Sequence, residues 1–270
     1  MKHPKKIYKY EPMSIQALMN LKSEAIYFNA PSNFNDPYDC NMDVKVENPH
    51  VDELPRIRQF LREEYEYLKK SDEEFSELEA MSDNKVAALG LVLAEDFVKN
   101  KSGAIFETKG VCCFSSINDN LLMWSHYASS GKGFCLEFDA TTEPFNKVQP
   151  VRYQKEPPTL NYERVFSVDM YFWIEALFCT KSVHWSYEKE YRIFHNEINK
   201  VAHYPSRSLT GVYFGPEIDD AFAETICLIL QGQNPTVKFY RGTRARDSYR
   251  VHFDEVSYRS RVLKNAQQSV

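Results

Sequence analysis

Short β-prone runs on both sides of one long charged segment are the feature of this sequence that most restricts its fold. Residues 7–46 show the pattern strand, helix, strand, turn, strand, beginning with the run Ile7-Tyr8-Lys9-Tyr10. After Gly103, strand-like runs return and alternate with short helical patterns to about residue 253. The sequence has no internal repeat. It therefore predicts a single α+β domain over residues 1–270, built on a mixed or antiparallel sheet.

The charged segment, from about residue 48 to residue 103, predicts a helical insertion within that domain. Its first apolar residues recur at steps of three and four, as on one face of a helix: Leu54, Ile57, Leu61, Tyr65 and Leu68. A less regular pattern from Leu78 to Phe97 indicates a second helix or a pair of helices. This insertion is either a solvated helical surface or a lid or partner-docking surface, since insertions often carry function.

Composition excludes several classes of protein. Hydrophobic residues make up 43% and charged residues 26% of the chain, which is typical of a globular domain. The net charge of −5 gives no overall positive field, so any contact with nucleic acid or anionic lipid has to be local. The sequence contains neither an apolar run long enough to cross a membrane nor an apolar signal region after MKHPKKIYKY. We therefore expect a cytoplasmic protein with no membrane partner.

The six cysteines predict buried, reduced thiols. They form no CxxC pair, and most lie among apolar residues, as in Gly133-Phe134-Cys135-Leu136. Cytosolic disulfides are rare, and a zinc site normally needs paired ligands at short spacing. We therefore expect neither disulfides nor a bound metal.

Three segments hold more polar and aromatic residues than packing requires: 34–37, 122–128 and 181–192. In the first, Asn35 and Asp36 precede a proline, which predicts a turn that clamps the backbone and has a secondary role at a site. In the second, helical spacing places His126 beside an apolar stripe. His126 is then either a partly buried structural residue or a base or ligand-binding group.

The third segment predicts a strand from Tyr187 to Phe194. Strand alternation would place Glu188, Glu190 and Arg192 on one face. That face is either a solvent-facing ladder of ion pairs or a cleft in which a glutamate contacts a substrate that Arg192 orients. The spacing favours neither interpretation.

Five blocks of the sequence resemble the successive motifs of a bacterial family, the domain of unknown function 2971 (DUF2971). They are IYKY, IYFNAPSNFNDPYDC, VCCFSSINDNLLMWSHYASSGKGFCLEFD, KSVHWSYEKEYRIF and LTGVYFG, and they extend from about residue 7 to residue 255. Members of this family resemble accessory and defence-island proteins of bacteria. The resemblance implies a role in phage defence or stress and leaves the activity open.

The order of the motifs also resembles the ADP-ribosyltransferase fold. That resemblance implies an enzyme that binds NAD or a related nucleotide, in which a late glutamate supports the positive charge that develops as the glycosidic bond breaks. By analogy the catalytic residues are Glu190, His126 and Tyr127, and Glu188 is the second choice for the glutamate. The implied ligand-binding residues are Lys9, Tyr10, Asn35, Asp36, Trp124, Trp185, Glu188 and Arg192.

Two alternatives to this enzyme remain. A hairpin pairing residues 237–240 with 250–253 carries four basic residues beside Tyr240 and Tyr249, which suits phosphate contact and base stacking in a non-catalytic nucleic-acid-binding module: Arg241, Arg244, Arg246 and Arg250. A solvated hairpin tip is the simpler interpretation of these residues. The helical insertion is the other candidate surface for binding a partner. The second alternative is a metal-dependent nuclease. The run Glu190-Tyr191-Arg192 resembles half of a nuclease motif, but arginine replaces the lysine of that motif and does not readily release a proton.

Overall fold

A computed structural model of the protein describes residues 3–40, 44–166 and 168–257. The chain folds as two compact units. The first consists of the described parts of Met1–Asn33, Thr108–Tyr153 and Val183–Val270, and the second of the described parts of Phe34–Glu107 and Gln154–Ser182. The second unit includes the expected insertion together with a later stretch of chain. The organisation as a single domain stays a prediction.

The described residues form fourteen strands and eight α-helices. The strands are β1 (Lys6–Glu11), β2 (Ala25–Phe28), β3 (Lys45–Val46), β4 (Gly110–Ser115), β5 (Phe134–Asp139), β6 (Gln149–Pro150), β7 (Arg152–Gln154), β8 (Thr159–Leu160), β9 (Thr180–Ser182), β10 (Glu190–His195), β11 (Lys200–His203), β12 (Leu209–Phe214), β13 (Lys238–Arg244) and β14 (Val251–Val256). The helices are α1 (Ile15–Lys22), α2 (Leu54–Tyr67), α3 (Asp72–Glu79), α4 (Asp83–Phe106), α5 (Leu121–Tyr127), α6 (Tyr162–Val165), α7 (Met170–Phe178) and α8 (Asp220–Gln231).

An eight-stranded sheet forms the centre of the first unit. Its order is β14-β13-β12-β5-β1-β4-β10-β6. All neighbouring strands are antiparallel except β12 and β13, which are parallel. The sheet is therefore mixed and mostly antiparallel, and the predicted α+β class is confirmed. The final hairpin, β13 with β14, is present, but its register differs from the predicted pairing of residues 237–240 with 250–253. Tyr240 pairs with Glu255, and Val251 pairs with Arg244.

The two faces of this sheet carry separate clusters of buried side chains. Along β5, Phe134, Leu136 and Phe138 belong to the larger apolar core, in the alternation expected from the sequence. Cys135 points to the opposite face, where it packs with Tyr10, Trp124 and Tyr213. Aromatic rings dominate this second face, which lies beneath α5.

Helix α1 packs through a face that does not carry all of its large apolar residues. Ser14 caps the helix by accepting a hydrogen bond from the Ala17 amide. Ile15 and Met19, however, are exposed, and Ala17 and Leu21 are the buried residues. The face of α1 that carries Ala17 and Leu21 is the one that packs on its neighbours.

The second unit contains the three helices that the charged segment predicted. Helices α2, α3 and α4 occupy Leu54–Phe106, and α2 buries Leu54, Ile57 and Leu61. Leu68 is exposed, contrary to the apolar stripe, because α2 ends at Tyr67. Strands β3 and β8 form a short parallel pair in this unit. Whether the helices act as a lid or bind a partner stays a prediction.

Close backbone contacts fix the connection between α5 and the sheet. A Cβ added to Gly133, just before β5, would lie 2.2 Å from the Glu11 carbonyl oxygen. A Cβ on Gly215 would lie 2.1 Å from the Gly131 carbonyl oxygen. Only glycine permits either approach. The turn that follows α5 is therefore held tightly against the sheet.

None of the helices within the described residues combines the length and apolar character that a membrane span needs. The six cysteines all lie within the described ranges, and there they form no disulfide bond.

Candidate functional site

Helix α5 buries Trp124 and exposes His126. Asn120 caps the helix by accepting hydrogen bonds from the amides of Leu122 and Met123. The Trp124 indole is buried, and its N–H donates to the Asn118 carbonyl at 2.7 Å. His126 is exposed. Trp124 is therefore part of the core beneath the helix, and His126 is available at the surface.

The segment after β9 is not the continuous strand that the sequence predicted. Residues Val183–Glu188 form 3-10 turns, and β10 begins only at Glu190. Between them Lys189 has a φ of 48°, in the left-handed region. This reversal removes Glu188 from the strand, so strand alternation does not place it on one face with Glu190 and Arg192. All three side chains are nevertheless buried.

Helix α5 and the 3-10 segment meet through two side-chain hydrogen bonds. The Tyr127 hydroxyl donates to Glu188 Oε1 at 2.5 Å. His126 Nδ1 is hydrogen-bonded to the Tyr187 hydroxyl at 3.0 Å. The structure thus brings the second and third polar-aromatic segments together, as a binding site would require.

Rings surround these hydrogen bonds. The His126 ring centroid lies 6.5 Å from that of Trp185, and the Trp185 centroid lies 5.9 Å from that of Tyr187. We call His126, Tyr127, Trp185, Tyr187 and Glu188 the α5 cluster. Its rings are partly or fully exposed, and its carboxylate is buried. This combination can hold a flat ring or a cation, because aromatic faces and a carboxylate both attract positive charge.

Glu190 and Arg192 form a buried ion pair on β10. Arg192 Nε donates to Glu190 Oε1 at 2.7 Å, and Nη2 donates to Oε2 at 2.9 Å. Arg192 is 0% exposed and Glu190 is 6% exposed. The interpretation of this face as a solvent-facing ladder is therefore wrong. A two-point arginine–carboxylate contact of this kind fixes the geometry of both side chains.

The ligand-binding residues predicted on β1 lie on opposite faces of the sheet. Tyr10 is buried beside Trp124, and its hydroxyl donates to the Ile117 carbonyl at 3.1 Å. Lys9 points to the other face, where its ammonium lies 3.5 Å from Glu11 Oε1 and 6.0 Å from the Phe114 ring centroid. The structure therefore does not bring Lys9 together with the α5 cluster.

Asn35 and Asp36 belong to the second unit. Asp36 is buried, and its Oδ1 accepts a hydrogen bond from the Tyr38 amide at 3.0 Å. The Asp36 carbonyl accepts a second bond from the Asp39 amide. The predicted backbone clamp is thus present at Asp36. Ligand binding by Asn35 and Asp36 stays a prediction.

The basic hairpin carries more negative charge around it than the sequence indicated. Three of its arginines have carboxylate partners: Arg241 with Asp220, Arg244 with Glu217, and Arg250 with Asp119. These acids are remote from the hairpin in sequence, so local spacing could not reveal them. Arg246 is exposed. A cavity of about 400 Å³ lies beside Arg244, Tyr249 and Arg250 and extends to Trp124 of α5.

A buried carboxylate on β5 was missed by sequence reasoning. Glu137 is 2% exposed and accepts hydrogen bonds from the hydroxyls of Tyr213 (2.8 Å), Tyr8 (3.2 Å) and Thr210 (2.8 Å). Lys6 Nζ lies 2.9 Å from it. Burial alone would raise the pKa of Glu137, but these hydrogen bonds and the Lys6 charge lower it below its usual value. The one available signal was a glutamate within the apolar run Phe134-Cys135-Leu136-Glu137-Phe138.

The second unit has a missed ion pair of its own. Lys181 Nζ lies 3.2 Å from Asp39 Oδ2, and both side chains are buried. Nothing in the local sequence connects positions so far apart.

Among the residues that the structure describes, no group of three or more His, Cys, Asp or Glu side chains is arranged to hold a metal ion.

Comparison with known proteins gives a single finding. Residues 123–193 match the model of a protein family of unknown function, DUF2971. No curated protein matches the chain, and no solved structure matches it. The matched stretch contains most of α5, the 3-10 segment and most of β10, and thus every residue of the α5 cluster. The wider resemblance over residues 7–255 stays a prediction outside this stretch. Over residues 123–193, this chain is therefore similar to the DUF2971 family.

Proposed function

We propose that this protein is an ADP-ribosyltransferase-like enzyme that uses NAD or a related nucleotide, and that it acts in the bacterial cytoplasm in a defence or stress response. The observation that carries the proposal is the 2.5 Å hydrogen bond from the Tyr127 hydroxyl to Glu188, next to the exposed rings of the α5 cluster. It joins an aromatic binding surface to a buried carboxylate.

The chemistry of the α5 cluster suits a nicotinamide nucleotide. Bound NAD would supply an ADP-ribosyl group. Its nicotinamide ring is a flat cation that leaves as neutral nicotinamide when the glycosidic bond breaks, and the positive charge passes to the ribose. Trp185, Tyr187 and His126 offer ring faces on which such a ring can stack. Glu188 offers the negative charge that a cationic ring and a developing positive charge both require. The Tyr127 hydroxyl holds the Glu188 carboxylate in a fixed orientation.

Glu188 is the better candidate than Glu190 for the acting carboxylate. Both oxygens of Glu190 are held by the Arg192 guanidinium on the same strand. Glu188 is instead bonded directly to Tyr127 of the α5 cluster. Arg192 and Glu190 then keep the start of β10 in place, and the Tyr153 hydroxyl supports them by accepting a hydrogen bond from the Glu190 amide. This reverses the order in which the sequence ranked the two glutamates.

The experiment is NAD turnover by the purified protein, followed as nicotinamide release. We expect turnover by the wild type and a loss of about a hundredfold in Glu188→Gln, the usual effect of removing one electrostatic group from a site. Glu197→Gln is the matched control, because Glu197 is an exposed carboxylate just beyond β10 that pairs with Lys200. Neither binding nor turnover of NAD or a related nucleotide by the wild type would overturn the proposal. Loss of turnover in Glu190→Gln alone, in a variant that remains folded by circular dichroism, would return the role to Glu190.

A second candidate function is nucleic-acid binding at the hairpin. The cavity beside Arg244 and Arg250 favours it, because Tyr249 there is 93% exposed and free to stack on a base. We expect a fluorescent single-stranded oligonucleotide to bind, and Arg244→Gln with Arg250→Gln to weaken that binding and its salt dependence. Lys238→Gln, an exposed paired cation on the same hairpin, is the control. Equal loss in all variants would contradict a specific site.

A further inference from the structure

The second unit contains a cavity whose lining includes no residue of the α5 cluster or of the hairpin. Its volume is about 470 Å³, within the range of pockets that hold small molecules. Ile57 of α2 and Leu93 of α4 give it an apolar interior. Phe60 and Phe166 form aromatic walls, and both side chains are more than one-third exposed. The cavity is therefore open to solvent, with an apolar lining.

A buried tyrosine is part of the lining of this cavity. Tyr162, the first residue of α6, is 8% exposed. Its hydroxyl oxygen lies 3.2 Å from the position that a Cβ on Gly90 would occupy, and Ile57 Cδ1 lies 2.7 Å from the same point. The missing side chain at Gly90 thus makes room for both groups between α2 and α4.

Tyr162 is one of the residues that line the cavity, although its side chain as a whole is buried. Polar groups of buried side chains are normally hydrogen-bonded, because an unsatisfied one costs free energy. Burial and the nearby Glu53 carboxylate raise the pKa of this hydroxyl, and Arg56 opposes them. A tyrosine hydroxyl in the lining of a ligand-sized cavity can form a hydrogen bond with a bound molecule.

The rim of the cavity is acidic. Three carboxylates, those of Asp52, Glu53 and Glu163, lie around it with one arginine, Arg56. Asp52 contacts His50, and Glu53 accepts a hydrogen bond from the His50 amide. The surrounding segment 48–103 is also acidic overall, since it contains thirteen Asp and Glu and only eight Lys and Arg. Such a field attracts cations to the opening.

We propose that this cavity binds a small organic ammonium ion with an aromatic or aliphatic body. The apolar interior accepts the body, while the rim carboxylates and the aromatic walls attract the ammonium group. The Tyr162 hydroxyl accepts a hydrogen bond from an ammonium N–H. The volume fits one small molecule, whereas a stable protein partner would bury a much larger surface. This site is independent of the proposed enzymatic function.

The test uses phenethylammonium as the probe and its anionic analogue, 3-phenylpropionate, as the ligand control, with binding followed by NMR on the full chain. We expect the cation to bind and the anion not to bind. Glu163→Gln should weaken cation binding about two- to fivefold, the effect of one exposed charge. Glu66→Gln, an exposed carboxylate on α2 outside the cavity, should leave it unchanged.

Two further variants test the interior. Leu93→Trp should abolish phenethylammonium binding by filling the cavity, and Tyr162→Phe should weaken it because the hydroxyl that accepts the ammonium hydrogen bond is lost. Circular dichroism checks that both variants are folded. Tyr127→Phe, in the α5 cluster, should leave phenethylammonium binding unchanged, which separates this proposal from the enzymatic one. Equal binding of cation and anion, or undiminished binding in both Leu93→Trp and Glu163→Gln, would overturn the site. Failure of the wild type to bind phenethylammonium at millimolar concentration would also overturn it.

Discussion

The Tyr127 hydroxyl and the Glu188 carboxylate, 61 positions apart in the sequence, form a 2.5 Å hydrogen bond. A hydroxyl donor to a carboxylate at this distance is a strong hydrogen bond. Tyr127 ends α5, and Glu188 ends the 3-10 segment before β10. The bond therefore connects two elements of the α5 cluster, and its loss should affect both stability and activity.

Tyr127→Phe should reduce the free energy of unfolding by about 1.5–3 kcal/mol, because it removes a hydrogen bond to a buried charged group. Urea denaturation followed by circular dichroism measures this change. Tyr187→Phe is the control, since it removes a hydrogen bond to the exposed His126 and should cost less than about 1 kcal/mol. Similar losses of unfolding free energy in both variants would show that the Tyr127–Glu188 hydrogen bond stabilises the protein no more than the Tyr187–His126 bond does.

Replacing one partner of the Glu190–Arg192 pair should be more costly than replacing both. Arg192→Met leaves a buried carboxylate facing an apolar side chain, which typically costs about 3–5 kcal/mol. The double variant Arg192→Met with Glu190→Met removes both charges and should recover part of that loss. A double-mutant cycle built from denaturation curves gives the coupling free energy between Glu190 and Arg192. Additive single effects would argue against a stabilising pair.

Stability should fall in acid partly through Glu137. Although burial opposes ionisation, its hydrogen bonds and Lys6 lower the pKa of Glu137 in the folded state below that in the unfolded chain. Its contribution is therefore fully present above the usual glutamate pKa and is lost as the pH falls through the lowered value. Glu137→Gln should be less stable than wild type at neutral pH, and the difference should shrink towards about pH 3. Denaturation midpoints of both proteins across this range test it. A constant difference would contradict this assignment.

Asp36→Ala should destabilise the protein by about 1–3 kcal/mol, because the Tyr38 amide loses its acceptor. Asp36→Asn keeps an acceptor oxygen and should melt closer to wild type. Thermal melts of the three proteins make the comparison. Unchanged melting of both variants, together with lost activity, would place Asp36 in the functional site and remove its clamp role.

Local patterns were sufficient for several elements of this protein. Alternation in β5, the Ser14 cap, the Asp36 turn and the helices of the charged segment all depend on residues a few positions apart. Such short-range chemistry is the same in any context, so the sequence predicted it. The same patterns do not show which face of a helix packs: in α1 the apolar residues Ile15 and Met19 are exposed, whereas Ala17 and Leu21 are buried.

The sequence by itself determined the α+β class, the family resemblance and which segments are rich in polar and aromatic residues. Only the tertiary structure decided which of those segments meet. It placed Tyr127 on Glu188, buried Arg192 against Glu190, turned Lys9 away from the α5 cluster and surrounded Glu137 with hydroxyls. These contacts join residues that are distant in sequence or depend on a left-handed residue such as Lys189. A sheet of eight strands in non-sequential order brings such residues together, and no local spacing records that order.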